Sequence, residues 1–141
     1  MDAIKITIYG RPEQWRRTGG RTKDGRPVRF TPAKTRDYEH RIKQEAGRYF
    51  VRPFQGPVKV DMLAVFPRPK AKIWKTKPMP REWYPKAPDL DNIVKAAMDG
   101  LNGIAYLDDR QVVDAHARKV MASGDELPRL ELTIGLMEGW E

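Results

Sequence analysis

The chain has 141 residues, a net charge of +8 and no cysteine. That length holds one domain with a real core and not two, and the missing thiols exclude both a disulfide framework and a zinc–thiolate centre. Only His40 and His116 are present, which excludes a histidine-rich metal site. The first residues lack the basic-then-apolar pattern of a secretory signal, and no apolar run nears the roughly 20 residues that span a bilayer. The expectation is a soluble, cytoplasmic protein.

Residues 3–9 alternate, with Ile4, Ile6 and Ile8 on one face, and are expected as a half-buried strand. Residues 10–30 follow as a long basic loop, broken by Gly10, Pro12, Gly19-Gly20 and Asp24-Gly25. Trp15 within it either anchors the loop to the core or stacks on a base. Thr31-Pro32 is a helix start, and Tyr38, Ile42, Ala46, Tyr49 and Phe50 form the apolar stripe of the helix that follows. Residues 58–66 make a second strand, with apolar residues on both faces in its second half, as in a central strand.

Residues 67–88 contain six prolines with Trp74, Trp83 and Tyr84 set among lysines, a composition expected to block helix and ladder alike. These aromatics either stack on exposed bases or pin an Ω-like loop. A second helix runs from Leu90 to Leu101 with Asp89 as N-cap, and Asn102-Gly103 closes it. Residues 111–121 are strand-like, with an alternation that slips near Lys119. Leu130, Leu132, Ile134 and Leu136 mark the last strand. The expected fold is a single α+β domain over residues 1–141, with two main helices packed on one mixed sheet of about four strands.

The positive charge is concentrated. Residues 11–29 carry seven Arg/Lys against two acids, and residues 67–88 carry seven against one, so the remainder of the chain is net acidic. Such loops are often only solubilising. Two of them flanking an acidic cluster favour phosphate contact, with Arg16, Arg17, Arg21, Arg26, Lys72, Lys75 and Lys77 as candidate DNA-binding residues.

The acidic cluster is Asp89 and Asp91 at the helix entrance, Lys95 one turn on, and the turn Asp108-Asp109. If that turn folds back beside the helix start, three or four carboxylates converge. A divalent cation with a preference for hard oxygen ligands, Mg²⁺ or Mn²⁺, relieves their repulsion. Such an ion polarises a phosphodiester and activates water, with Lys95 orienting that water or offsetting charge on phosphorus. The plainer reading makes Asp89 and Asp91 acids that cap a helix and favour its dipole, Asp91–Lys95 an exposed ion pair and Asp108-Asp109 a turn.

The stretch from Asp89 to Leu101 fits D-x-D-N-x-x-K-x-x-x-D-x-L, and residues 108–112 fit D-D-x-Q-V. Together they resemble the signature of the RusA family of Holliday-junction resolvases. Gly10-Arg11-Pro12, Arg16-Arg17 and the run from Phe30 to Glu39 are similar to phage-encoded members. The resemblance implies a homodimeric, Mg²⁺-dependent endonuclease that resolves four-way DNA junctions by paired nicks. It places the essential aspartates on Asp89, Asp91 and Asp109, the metal-binding set, and the essential lysine on Lys95. Asp99 and Lys119 also match family positions in supporting roles, Lys119 among the DNA-binding residues. The segment 67–88 is longer and more aromatic than in compact cellular members. The rival readings are a non-catalytic branched-DNA-binding protein and a metal-dependent nuclease of other branched DNA, flaps or RNA.

Overall fold

A computed structural model of the chain describes residues 3–15, 18–30 and 33–139, without the side chains of 18–21 and 28–30. The elements in order are β1 (Ile4–Tyr9), β2 (Thr18–Arg21), β3 (Pro27–Phe30), α1 (Ala33–Gly47), β4 (Val58–Phe66), β5 (Glu82–Trp83), α2 (Leu90–Leu101), β6 (Val112–Met121) and β7 (Arg129–Leu136). Five strands form one mixed sheet in the order β1-β7-β4-β6-β5, with β4 and β6 parallel and the other pairs antiparallel. The fold class is α+β, as the pattern predicts, with five strands in the main sheet where about four were expected.

Both helices lie on one face of this sheet. Tyr38, Ile42 and Ala46 of α1 and Ile93, Ala97 and Leu101 of α2 share one buried cluster with Ile6, Ile8, Val58, Val60, Met62, Leu130, Leu132 and Ile134. Burial of apolar side chains at this density is the main driving force for the fold. The stripe of α1 ends earlier than expected, because the helix stops at Gly47 and Tyr49 is exposed. Thr31 and Pro32, the expected helix start, lie outside the described residues. Strand β4 is central, between β7 and β6, as its two-faced apolar half requires. On its second face Val65 packs with Val120 and Ala122 in a smaller cluster. The helices approach closely at Gly100, where an added Cβ would lie 2.7 Å from the Ile42 side chain.

Two segments expected to lack regular structure are partly ordered. Within 10–30, β2 and β3 form a two-stranded hairpin, with Gly25 at φ 85° in its turn. Asp24-Gly25 is therefore a hairpin signal and not only a breaker, since glycine takes that backbone without strain. Within 67–88, a 3-10 turn spans Lys70–Lys72 and β5 pairs with the end of β6. Pro80 and Pro85 bracket a proline-free window, and an edge strand tolerates such neighbours. Arg68, 5% exposed in its side chain, holds this loop together. It donates to the carbonyls of Lys72, Pro80 and Ala122 at 2.6, 2.9 and 3.1 Å and pairs with Glu82 at 3.2 Å. Tyr84 stacks on Phe66 at 4.3 Å, and Trp74 sits between Arg68 and Lys77. Those two aromatics pin the loop, whereas Trp83 is 72% exposed. Among the described residues no helix is long and apolar enough to cross a membrane.

Candidate active site and nucleic-acid interface

The site is built around α2. Ile93, Val94, Ala97 and Leu101 recur at helical spacing and turn one face of the helix toward α1 and the sheet, while Leu90 in the first turn is exposed. Asp89 takes the N-cap position with extended backbone, and Gly103 at φ 83° follows the last turn. Two lysines from neighbouring elements hold the ends of this helix. From α1, Lys43 donates to the carbonyls of Asp99 and Asn102 at 3.1 and 2.9 Å, placing a cation on the acceptors at the helix C-terminus. From β6, Lys119 donates to the carbonyls of Lys86 and Pro88 at 2.7 and 2.8 Å, immediately before Asp89.

Lys119 also explains the slip in the alternation of β6. Its Cα partner is Ala64, so it points to the helix-bearing face where Ala115 and Ala117 point, and an apolar residue would be expected there. The face is occupied at that position by the segment entering α2, and a long cationic side chain is what bridges to its carbonyls. Its ammonium is thus engaged within the chain, and its carbonyl accepts from the Tyr84 N–H at 3.2 Å.

The plainer reading holds in part: Asp89 at the N-cap and Asp91 in the first turn favour the helix dipole, but the bonds it expects are not the ones made. The Asp89 carboxylate makes no capping hydrogen bond. Lys95 pairs with Asp99 at 3.5 Å, not with Asp91, and its ammonium lies 5.0 Å from the centre of the Trp15 ring. Asp89 and Asp91 are both exposed at the helix entrance. The backbone N–H of Trp15 donates to the Asn92 carbonyl at 2.9 Å, which attaches the basic segment directly to α2. Burial first, then the Asp99 charge, raises the Glu39 carboxyl above its usual value against the pull of Lys43 and Lys95.

The Asp108-Asp109 turn separates two residues that spacing could not tell apart. Asp108 caps the 3-10 turn Asp109–Gln111, accepting from the Arg110 N–H at 3.0 Å, and that bond holds its carboxyl below the ordinary value. Gln111 completes the cap by accepting from the Leu107 and Asp108 N–H groups, and it donates to the carbonyls of Phe54 and Gly56. Asp109 is exposed in that turn. Three residues earlier, buried Tyr106 donates its hydroxyl to the Met98 carbonyl at 2.8 Å in the second half of α2. The turn therefore lies toward the far end of the helix, and does not fold back beside Asp89 and Asp91. Among the described residues no three acids or histidines are close enough to hold a metal ion.

The candidate DNA-binding residues divide similarly. Arg16 and Arg17 lie outside the described residues, as does the side chain of Arg21. Arg26 pairs with Asp24 at 2.8 Å and Lys72 with Glu82 at 3.2 Å, while Lys77 lies over the Trp74 ring and Lys75 is exposed. Sequence reasoning missed Lys43 as a clamp on α2. A lysine bordering the stripe of α1 carries no local signal that its partner is a helix end 56 residues away.

Compared with known proteins, residues 9–135 match the family described as Endodeoxyribonuclease RusA. A protein of Bacillus subtilis (strain 168), described as uncharacterized protein YqaN, is 35% identical over 142 residues, covering 95% of this chain and 96% of its own. The aspartates at the entrance of α2, Lys95 and the Asp108-Asp109 turn all fall inside the matched stretch, and the chain belongs to the RusA endodeoxyribonuclease family.

Proposed function

We infer that this protein is a divalent-cation-dependent endonuclease of branched DNA, resolving four-way Holliday junctions by paired nicks in recombination and repair, as a homodimer in the cytoplasm. The observation that carries this reading is the pair Asp89 and Asp91. They are exposed at the entrance of α2, and among the described residues Asp89 makes no side-chain cap and Asp91 no ion pair, in a chain whose positive charge is concentrated in two segments. Carboxylates left free beside a polyanion are costly unless something binds them.

The cation proposed is Mg²⁺, with Mn²⁺ able to substitute. When bound, it would supply Lewis-acid polarisation of the phosphodiester and an activated water. Asp89, Asp91 and Asp109 fit it in chemistry, being hard oxygen donors, but a single chain does not gather them around one point. The chain's own contributions are more direct. Lys119 and Lys43 hold the two ends of α2, Trp15 attaches the basic segment to it, and Lys95 sits one turn from Asp91 to offset charge on a bound phosphate. Arg16, Arg17, Arg21, Arg26, Lys72, Lys75 and Lys77 are proposed to bind the DNA backbone.

The test is incubation with a synthetic four-way junction and Mg²⁺, alongside flap, duplex and RNA substrates. Symmetric nicks in the junction support the reading. Preferential cutting of flaps or RNA reassigns the substrate, and binding without nicking under any divalent cation refutes the enzyme. The assay is run on Asp91→Asn as well, to show whether any nicking depends on the acids at the helix entrance.

A further inference from the structure

The sheet has one edge that its own strands leave incomplete. Strand β6 is paired along its length with β4, but on its other side β5 reaches only Val120 and Met121, and the Tyr84 N–H takes the Lys119 carbonyl. At the opposite end, a register shift makes Val113 an extra residue, a bulge that interrupts regular pairing. Between these limits Asp114 to Arg118 form a regular strand whose outer edge has no partner among the described residues. Because the Lys119 carbonyl points outward, the N–H and C=O groups of Ala117 and Ala115 point outward too.

Natural proteins protect such edges with proline, charged side chains, a bulge, a covering loop or a partner. Asp114 to Arg118 contain no proline, and their charges are of opposite sign at the two ends, which repels less against an antiparallel copy than a run of one sign would. Ala115 is exposed, Val113 beside it is 60% exposed, and Leu107 just before the acidic turn is 68% exposed. The side chains on the other face run Asp114, His116, Arg118, so one end of this short edge is acidic and the other basic. His116 Nε2 lies 3.0 Å from Asp114, while Arg118 has no ion pair among the described residues.

We propose that this edge pairs antiparallel with the same edge of a second copy of the chain, the two-fold axis passing at His116. This rests on the homodimer of the preceding reading and names its surface. With the axis there, Ala115 lies opposite Ala117 of the second copy and the reverse, so the outward amides and carbonyls of both are satisfied. Asp114 then faces Arg118 of the second copy on each side of the axis, an opposite-charge cross-strand pair repeated by symmetry. The bulge at Val113 and the edge strand β5 bracket this segment, and they stop the register from sliding. Charge self-complementarity selects a copy of this chain as the occupant over an unrelated strand, for which nothing places one acid and one base equidistant from a centre.

The chain has no cysteine, which makes the test clean. His116→Cys places two thiols across the axis in a non-hydrogen-bonded pair, with Cα atoms about 4.5 Å apart, inside disulfide range. Mild oxidation at micromolar protein is expected to yield mostly covalent dimer on a non-reducing gel. Asp125→Cys, exposed in the turn after β6, stays monomeric. A second measurement uses sedimentation. Asp114→Arg weakens the dimer at least tenfold, and Asp114→Arg with Arg118→Asp restores it. Absence of cross-linking at 116, equal cross-linking at 125, or a dimer indifferent to Asp114→Arg overturns the proposal. A chain that cross-links but cuts no DNA leaves the interface standing and removes the nuclease reading. One that nicks junctions without cross-linking removes the interface alone.

Discussion

Lys119→Met separates two roles for one lysine. In the structure its ammonium makes two charge-assisted hydrogen bonds, 2.7 and 2.8 Å, to the carbonyls that lead into Asp89. Hydrogen bonds to charged groups are worth about 1.5–3 kcal/mol each. The lysine is only half-buried, and water takes over part of the bonding once the ammonium is gone, so about 2 kcal/mol is expected for the pair. Methionine keeps most of the aliphatic stem and its packing, which isolates the ammonium. For a domain of this size each kcal/mol moves the melting temperature by about 3 °C, so the variant melts about 6 °C lower. Hydrogen exchange across Tyr84 to Leu90 quickens while the β-sheet core stays protected. Junction binding keeps its salt dependence, because no group that touches phosphate is removed. Cleavage falls by about 100-fold, the scale of a small misplacement of reacting groups. Lys119→Arg recovers part of both stability and cleavage. Unchanged melting and exchange, together with a log–log salt slope lower by about 0.9, would refute this role and make Lys119 a phosphate-binding cation instead.

Other expectations are briefer. Asp91→Asn abolishes nicking of a four-way junction in Mg²⁺ and leaves binding equal or tighter, since it removes a negative charge near the DNA; near-normal cutting would reduce Asp91 to helix decoration. Gly100→Ala forces a methyl against Ile42 and destabilises by about 1–3 kcal/mol in urea melts, with no effect expected if α1 moves freely. Neutralising Arg16, Arg17, Arg21 and Arg26 together lowers the salt slope of junction binding by about 0.9 for each phosphate no longer neutralised; an unchanged slope makes the basic segment 10–30 a bystander. Glu126 is held well below the usual carboxylate range by the Arg81 guanidinium first, then by the Ser123 N–H and Arg129. A depressed folded-state value contributes stability at neutral pH that is lost as pH falls below the unfolded value of about 4.3. Glu126→Gln therefore flattens the acid limb of the stability–pH curve, and an unaltered limb would show that the pairing is energetically idle.

Much of the fold was legible because its determinants are local. Alternation of Ile4, Ile6 and Ile8 and of Leu130, Leu132 and Ile134 gives strands, and the spacing of Leu90, Ile93, Ala97 and Leu101 gives a helix, with Gly103 to end it. These patterns express burial on one face, which is written residue by residue. The family was legible for a similar reason: the acids, the lysine and the acidic turn sit close together in the chain.

What tertiary structure decided concerns partners distant in sequence. The two-residue strand β5 exists because the end of β6, more than 30 residues on, supplies hydrogen bonds that propensity does not record. Asp108 and Asp109 are equivalent as letters. Only the fold gives Asp108 to the turn's own N–H groups and leaves Asp109 at the surface, away from the helix entrance. Lys119 breaks the alternation of β6, and the sequence alone makes it one more cation for DNA. The fold shows two carbonyls within reach of its ammonium, and so turns an irregular strand position into the support of α2. Composition can place charge near a site, but which charge is already spent on the backbone depends on contacts between residues that the chain brings together only when folded.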